Sequence, residues 1–459
     1  MAKLFGTDGI RGEAGRFPLD AATVRVVGES LARHLANETE GRAPCIVTGR
    51  DTRESGAWIE RAFIAGARKA GAQVESAGVI TTPGVAYLAR TFPADAGVVI
   101  SASHNPYQDN GIKIFAPTGR KLTDATERLI EADIEAEKRS DLTAATGADA
   151  FVEDEADALR ADVLRERYLN YLAEEVADKL DLEGLTLVVD CANGAAFDLA
   201  PALFKRLGAR VHATNNSPDG RNINLDCGSL HIEGLQEKVM AERADLGVAF
   251  DGDADRALFV DARGRFVDGD ATLWVMAKYL QERGRLDGNK VVATVMSNIG
   301  LEMALRSFGL QLLRADVGDK YVLEELLRTG AALGGEQSGH IIFPRLSLAG
   351  DGMITTLCLL RAMREARASL DELTAGFTRY PQVLVNVRVR EKLPFDEVEE
   401  IARAAVEIEE KLGESGRLLL RYSGTEPLAR IMIEGERQDL IESCANDLAA
   451  VIREAIGEQ

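Results

Sequence analysis

Three times along the chain, a short apolar run, a turn of small and polar residues, a helix-length amphipathic stretch and a glycine follow one another in that order. The first copy runs from Cys45-Ile46-Val47 through a turn at Thr48 to Gly56 and a helix to near Ala70, with Gly71 ahead of Val74. The second runs from Leu187-Val188-Val189 through Asp190 to Gly194 and a helix to near Leu207, with Gly208 ahead of Val211. The third takes Val291 to Val295, Met296 to Gly300, a helix to near Phe308, and Gly309. Strands alternating with helices of this length predict βαβ units with right-handed crossovers. Beyond Ala366 to Tyr380 the order changes, and Val383 to Val389 alternates as a half-buried strand would. The expected fold is α/β: three similar α/β domains with mixed, largely parallel sheets, then a smaller C-terminal α+β domain. Breaks in pattern at the Ala-, Asp- and Glu-rich stretch Glu131 to Asp162, near Arg256 to Asp270 and near Ala366 to Tyr380 place the domains at 1–155, 156–256, 257–370 and 371–459. A chain of 459 residues exceeds one ordinary hydrophobic core, which agrees with several domains.

Composition narrows the functional classes. The net charge of −20 argues against a general nucleic-acid binder, which needs a basic footprint. A small anionic ligand feels only the local field of its cleft and is not excluded. The five cysteines, Cys45, Cys191, Cys227, Cys358 and Cys444, form no CxxC pair and are expected to be reduced packing residues. No apolar run approaches a bilayer span, and the start Met1-Ala2-Lys3-Leu4-Phe5-Gly6 has no signal-peptide core, so a cytoplasmic protein without membrane contact is expected.

Five segments carry candidate chemistry. In Val98-Val99-Ile100-Ser101-Ala102-Ser103-His104-Asn105-Pro106, a buried strand delivers a tight turn, and Ser103 is expected exposed at the strand end. Asp109-Asn110-Gly111 then turns the chain, and alternation puts Lys113 on the face opposite Ile112 and Ile114, where a hairpin could return its ammonium beside Ser103. Such a serine can equally bond only to local backbone. Phe250-Asp251-Gly252-Asp253-Ala254-Asp255-Arg256 spaces three carboxylates so that they converge on one hard cation, and a remaining position for a phosphate oxygen suits magnesium. An EF-hand is excluded, because Arg256 and Ala262 stand where its glycine and glutamate belong. Arg421-Tyr422-Ser423-Gly424-Thr425-Glu426-Pro427, with Arg430 following, joins two strands and fits a phosphate dianion. In Gly334-Gly335-Glu336-Gln337-Ser338-Gly339-His340, glycines bracket side chains able to bond hydroxyls and move protons. Phe5-Gly6-Thr7-Asp8-Gly9-Ile10-Arg11-Gly12 could bring the Arg11 guanidinium to a phosphate.

Together, in this order and along almost the whole chain, these segments resemble the α-D-phosphohexomutase family. The Phe-Gly-Thr-Asp-Gly-Ile-Arg-Gly opening, the Gly-Glu-Gln-Ser-Gly-His form around Gln337 and Asp190-Cys191-Ala192-Asn193-Gly194-Ala195 resemble its glucosamine-phosphate branch. Tyr422 departs from the Pro or Lys of relatives, with little effect expected on the phosphate donors. The resemblance implies four domains around a central cleft and exchange of glucosamine 6-phosphate with glucosamine 1-phosphate. Ser103 would carry the phosphoryl group, and a hexosamine 1,6-bisphosphate would be activator and intermediate. Asp251, Asp253 and Asp255 would hold one Mg2+ per chain against the phosphoserine oxygen. Lys113 and Arg256 would add positive charge, with Lys113 or His340 handling the hydroxyl proton and Arg11 lining the cleft. Glu336 and Ser338 would bind sugar hydroxyls. Arg421, Ser423, Gly424, Thr425 and Arg430 would grip the second phosphate, with Ser101 a minor alternative acceptor. A homodimer is compatible with such an enzyme, though no interface patch stands out. Action on mannose or glucose phosphates, a metal-dependent phosphatase and a non-catalytic sugar-phosphate sensor remain the alternatives.

Overall fold

Three mixed sheets and one antiparallel sheet follow the predicted order. The computed structural model describes residues 3–6, 8–39, 41–139, 155–423 and 426–458. The first sheet has six strands in the order Phe5–Gly6, Gly9–Glu13, Asp109–Phe115, Ala96–Ile100, Cys45–Arg50 and Gln73–Val79. Cys45–Arg50 pairs in parallel with both Gln73–Val79 and Ala96–Ile100, and the other pairings are antiparallel. The second sheet runs Phe266–Val267, Ala257–Asp261, Leu246–Phe250, Thr186–Asp190, Arg210–Thr214. The third runs Gln311–Ala315, Lys290–Thr294, Gly334–Gly335, Ile341–Ile342. In each of these three sheets the parallel pairs lie together on one side and the antiparallel pairs on the other. The junction expected after residue 256 falls inside the second sheet, because Ala257–Asp261 pairs residue by residue with Leu246–Phe250.

The predicted helices are present at Gly56–Lys69, Leu199–Arg206 and Ile299–Ser307. The first buries Ile59, Ala62, Phe63 and Ala67, the spacing of one helical face. The second starts later than its turn suggested. Ala192 and Asn193 take positive φ of 53° and 48°, which prolongs the turn before the helix. Asn298 caps the third by accepting from Gly300 N at 2.9 Å. Much of the stretch at 131–162 lies outside the described residues; the helices Asp124–Arg139 and Glu155–Asn170 enter it from either side.

The first three units share one continuous apolar cluster that includes Val47, Tyr168, Phe250, Trp274 and Leu357. The fourth, three antiparallel strands in the order Gln382–Arg388, Leu428–Gly435, Gly416–Tyr422 with helices Glu399–Leu412 and Gln438–Ile456, keeps its own core around Ile431, Ile433, Cys444 and Leu448. No helix among the described residues is long and apolar enough to cross a membrane. The turns that carry candidate chemistry in the first three units leave the C-terminal ends of Ala96–Ile100, Leu246–Phe250 and Gly334–Gly335, the edge at which α/β sheets bind ligands.

Candidate active site

Val98, Val99 and Ile100 are fully buried, so the strand enters its turn from a rigid core. The turn is then pinned by a buried network. Ser101 Oγ donates to Asp51 Oδ2 at 2.6 Å and accepts from Ser103 N at 3.0 Å. Arg53, paired with Asp51 at 2.8 Å, donates to the carbonyls of Ser103 at 2.9 Å, Asn105 at 2.8 Å and Pro106. Ser101 is thus part of the scaffold, and its hydroxyl is already committed. Ser103 sits at φ 54°, a strained conformation for a residue with a Cβ.

Ser103 is only 1% exposed, against the expectation of an exposed strand-end serine. The reason lies in the second unit. Asp251 accepts from Ser103 Oγ at 2.5 Å, and Asn224 Nδ2 donates to the Ser103 carbonyl at 2.9 Å. A Cβ on Gly252 would collide with that carbonyl, so glycine permits the close approach of the two loops. His104 lies 3.4 Å from Ser103 Oγ through Nδ1. Burial, then Arg256 and Arg11, lower its pKa to about 4, so it is neutral at pH 7.

Asp251, Asp253 and Asp255 are buried, each with a carboxylate oxygen within 4.8 Å of the others. Asp253 Oδ1 and Asp255 Oδ1 are buried without a hydrogen-bond partner. Burial, then Asp255 and Asp253, push the Asp251 carboxyl well above the usual range. Three hard oxygen donors, two of them with an oxygen left without a partner, fit a divalent cation, and an all-oxygen set favours magnesium or calcium over zinc.

Lys113 reaches these carboxylates rather than standing alone beside the serine. Its Nζ lies 2.8 Å from Asp253, 2.9 Å from Asp8 and 3.6 Å from Asp255, and the residue is 1% exposed. Burial alone would lower its pKa, but Asp253, Asp8 and Asp255 raise it well above the ordinary value, so it is an ammonium. Arg256 donates its backbone N–H to Asp251 Oδ1 at 3.2 Å and places Nε 3.8 Å from Asp255. Arg11 pairs with Asp8.

The loop after Gly334–Gly335 is a tight hairpin in which Glu336 N donates to His340 O at 2.9 Å. Glu336 accepts from Gly318 N at 3.2 Å and lies 3.4 Å from Ser338 Oγ. His340 Nδ1 is 3.6 Å from Asp255, while Nε2 is buried without a partner. Burial opposes its charging, but Asp255 prevails and raises the pKa to about 9. Beside this group opens a cavity of about 460 Å³, lined by Asp8, Thr82, Lys121, Asp255, Asp319 and His340 among others. Lys121 bridges Asp8 and Asp319 across it at 2.5 Å each, tying the first unit to the third.

Arg421, Ser423 and Arg430 form a second, separate cluster. Arg421 and Arg430 face each other across paired strands, and Arg430 Nη2 donates to Ser423 Oγ at 3.3 Å. Burial, then Arg430, lower the Arg421 pKa, as two cations held side by side require, and Glu426 lies 3.6 Å from Arg430. Lys392 adds a third cation by donating to Ser423 O at 2.6 Å. Gly424 and Thr425 lie outside the described residues. Tyr422 turns away, stacking on Phe395 and donating to Leu393 O at 2.6 Å. Among the described residues, no hydrogen bond or ion pair links this cluster to Ser103, the aspartates or His340.

The sequence reading did not single out Asp8, Arg53, His104, Lys121, Asp319 or Lys392. Asp8 and His104 stood inside quoted motifs; the others carry no local signal.

All four parts of the phosphoglucomutase/phosphomannomutase description match: alpha/beta/alpha domain I over residues 2–141, domain II over 166–264, domain III over 268–380 and the C-terminal domain over 384–451. A protein of Solibacter usitatus named phosphoglucosamine mutase is 51% identical over 459 residues, covering all of both chains. A protein of the same name from Koribacter versatilis is 47% identical, covering all of this chain and 98% of the other. A solved phosphoglucomutase/phosphomannomutase family protein from Burkholderia thailandensis superposes with a TM-score of 0.79 at 25% identity, covering 99% and 97% of the two chains. The Aspergillus fumigatus N-acetylphosphoglucosamine mutase, solved with GlcNAc-6P and magnesium, shares the fold with a TM-score of 0.62 at 19% identity over 98% and 96%. With all four domain descriptions matched in order between residues 2 and 451, and relatives 51% and 47% identical along the whole chain, the chain belongs to the phosphoglucomutase/phosphomannomutase family.

Proposed function

We propose that this chain interconverts glucosamine 6-phosphate and glucosamine 1-phosphate through a phosphorylated Ser103. The observation that carries the reading is the 2.5 Å contact between Ser103 Oγ and Asp251 inside a buried three-carboxylate cluster. A serine hydroxyl is a poor phosphoryl carrier unless its charge is met locally, and positioning with charge neutralisation is what phosphoryl transfer demands.

In the first half-reaction the P–O bond to Ser103 breaks as a P–O bond forms to the free C1 hydroxyl of glucosamine 6-phosphate. The proton lost by the C1 hydroxyl balances the one gained by the released Ser103 Oγ, and the product is the 1,6-bisphosphate. After the bisphosphate turns over, its C6 phosphoryl group passes to Ser103, regenerating the phosphoenzyme and leaving glucosamine 1-phosphate. Asp251, Asp253 and Asp255 would hold Mg2+, which supplies neutralisation of the charge on the transferring phosphoryl group. Lys113 and Arg256 add fixed positive charge, and Arg11 lines the cleft. Lys113 and His340, both held charged by carboxylates, are placed to hold a proton, and neutral His104 can accept one at Ser103 Oγ. Glu336 and Ser338 bind sugar hydroxyls. Arg421, Ser423, Gly424, Thr425 and Arg430, joined by Lys392, bind the phosphate that is not transferred. Relatives 45–51% identical along their full length, all named phosphoglucosamine mutase, favour glucosamine over glucose or mannose.

The test offers glucosamine, glucose and mannose 6-phosphates in parallel, with Mg2+ and a trace of the matching bisphosphate. Preference for the glucosamine ester, loss of at least about a thousandfold in the Ser103→Ala variant, and no release of free phosphate are expected. Equal turnover of another sugar would move the selectivity, and a fully active Ser103→Ala variant would remove the phosphoserine.

A further inference from the structure

A line of buried polar contacts runs from the loop at 335–340 to the sheet that carries the basic hairpin. Gln337 bonds to the start of the helix Gly269–Glu282 rather than to Glu336 or Ser338. Its Nε2 donates to Asp270 Oδ2 at 3.1 Å, and its carbonyl accepts from Gly269 N at 2.9 Å. Gly269 is needed there, because a Cβ would collide with the Glu336 carbonyl. The same Asp270 oxygen accepts from Asn298 N at 2.8 Å. Asn298 Nδ2 donates to Glu434 Oε1 at 3.1 Å, and its Oδ1 accepts from Tyr380 N at 2.9 Å. Glu434 Oε2 in turn holds Arg417 Nη2 at 2.7 Å, and Arg417 returns a bond to Ser297 O at 3.1 Å. Glu434 lies on the strand that bears Arg430, and Arg417 on the strand that leads to Arg421 and Ser423.

Two features make this line more than packing. Asp270, Asn298 and Glu434 are all fully buried, so each broken bond would leave a polar group without water or partner. The apolar core of the fourth unit is also separate from the cluster shared by the first three. Its orientation against the third unit is therefore set here by directional bonds, which tolerate less slippage than an apolar contact.

We propose that Gln337, Asp270, Asn298 and Glu434 are positioning residues that hold the sugar-binding loop and the phosphate-binding hairpin in one register. The ligands assigned to those two loops rest on the function proposed above; the mechanical link does not. The link limits how far the two loops can separate, so a substrate that presents its hydroxyls to one loop and its phosphate to the other has less of the site to order.

Hydrogen–deuterium exchange on the full chain tests the link without turnover. Glu434→Gln, changed in the fourth unit, is expected to speed exchange of a peptide covering 334–342 about threefold or more, with 96–115 unchanged. Gln337→Met, changed in the third unit, is expected to speed exchange over 416–435. Unchanged exchange in both directions overturns the proposal. Should Glu434→Gln fail to fold, the half-buried Gln337→Met still decides it. In the mutase assay each variant is expected to raise KM about tenfold with kcat within about threefold. The double variant should be no worse than the worse single, whereas multiplying effects would show two independent sites. If the wild type turns over none of the three sugar phosphates, the function fails while the exchange result still judges the link.

Discussion

Replacing Lys113 by Met removes one charge from the centre of the site and keeps most of the aliphatic stem. The ammonium lies 2.8, 2.9 and 3.6 Å from Asp253, Asp8 and Asp255. At an effective dielectric constant near 20, each contact is worth roughly 5 kcal/mol of attraction. Most of that sum offsets the cost of taking an ammonium and three carboxylates out of water. What truncation exposes is the imbalance: carboxylates left buried without their cation, a loss of about 3–5 kcal/mol. Urea unfolding at pH 7 with a chelator should show this loss. Millimolar Mg2+ should recover more stability in Lys113→Met than in the wild type, because the cation then meets carboxylates that no ammonium occupies. In the mutase assay kcat should fall about 10²- to 10³-fold, the scale for losing one charge donor at a transferring group. A variant as stable as the wild type in chelator, with kcat retained, would refute the reasoning.

Arg421→Ala should raise KM about 10- to 100-fold with little change in kcat, since a charge-assisted bond to a non-transferring phosphate is worth about 1.5–3 kcal/mol in ground and transition states alike; a fall confined to kcat would place Arg421 at the reacting group. Asp270 provides a pH test. Burial, then Asp268, raise its pKa from 3.8 to about 7, so the folded chain keeps a proton that the unfolded chain releases. The stability this group contributes is therefore full below pH 3.8 and is lost as pH rises toward 7. Asp270→Asn should gain stability relative to wild type across that window, by up to about 4 kcal/mol. A difference that does not vary with pH would show that the carboxyl is ionised throughout.

Sequence spacing made the aspartate loop legible because its three carboxylates occupy alternate positions of one turn, where only local backbone is needed to bring them together. Ser103 was legible for a similar reason, as the turn at the end of a wholly apolar strand. Its burial was not. That follows from Asp251 and Asn224, which are 148 and 121 residues away. Lys121 carries no motif at all, yet it joins Asp8 to Asp319 over separations of 113 and 198 residues. Arg53, which holds three carbonyls of the serine turn, reads in sequence as one more surface arginine.

By itself, then, the sequence determined the strand–helix order, the three α/β units and the grouping of the three aspartates, because period, turn chemistry and carboxylate spacing are local properties of the chain. Only the tertiary structure decided which loops meet, that Lys113 is bound by three carboxylates, that His104 is neutral while His340 is charged, and that Asn298 and Glu434 join the third unit to the fourth. Those outcomes depend on burial and on Coulomb energies between groups far apart in the chain, and both quantities exist only once the sheets have packed.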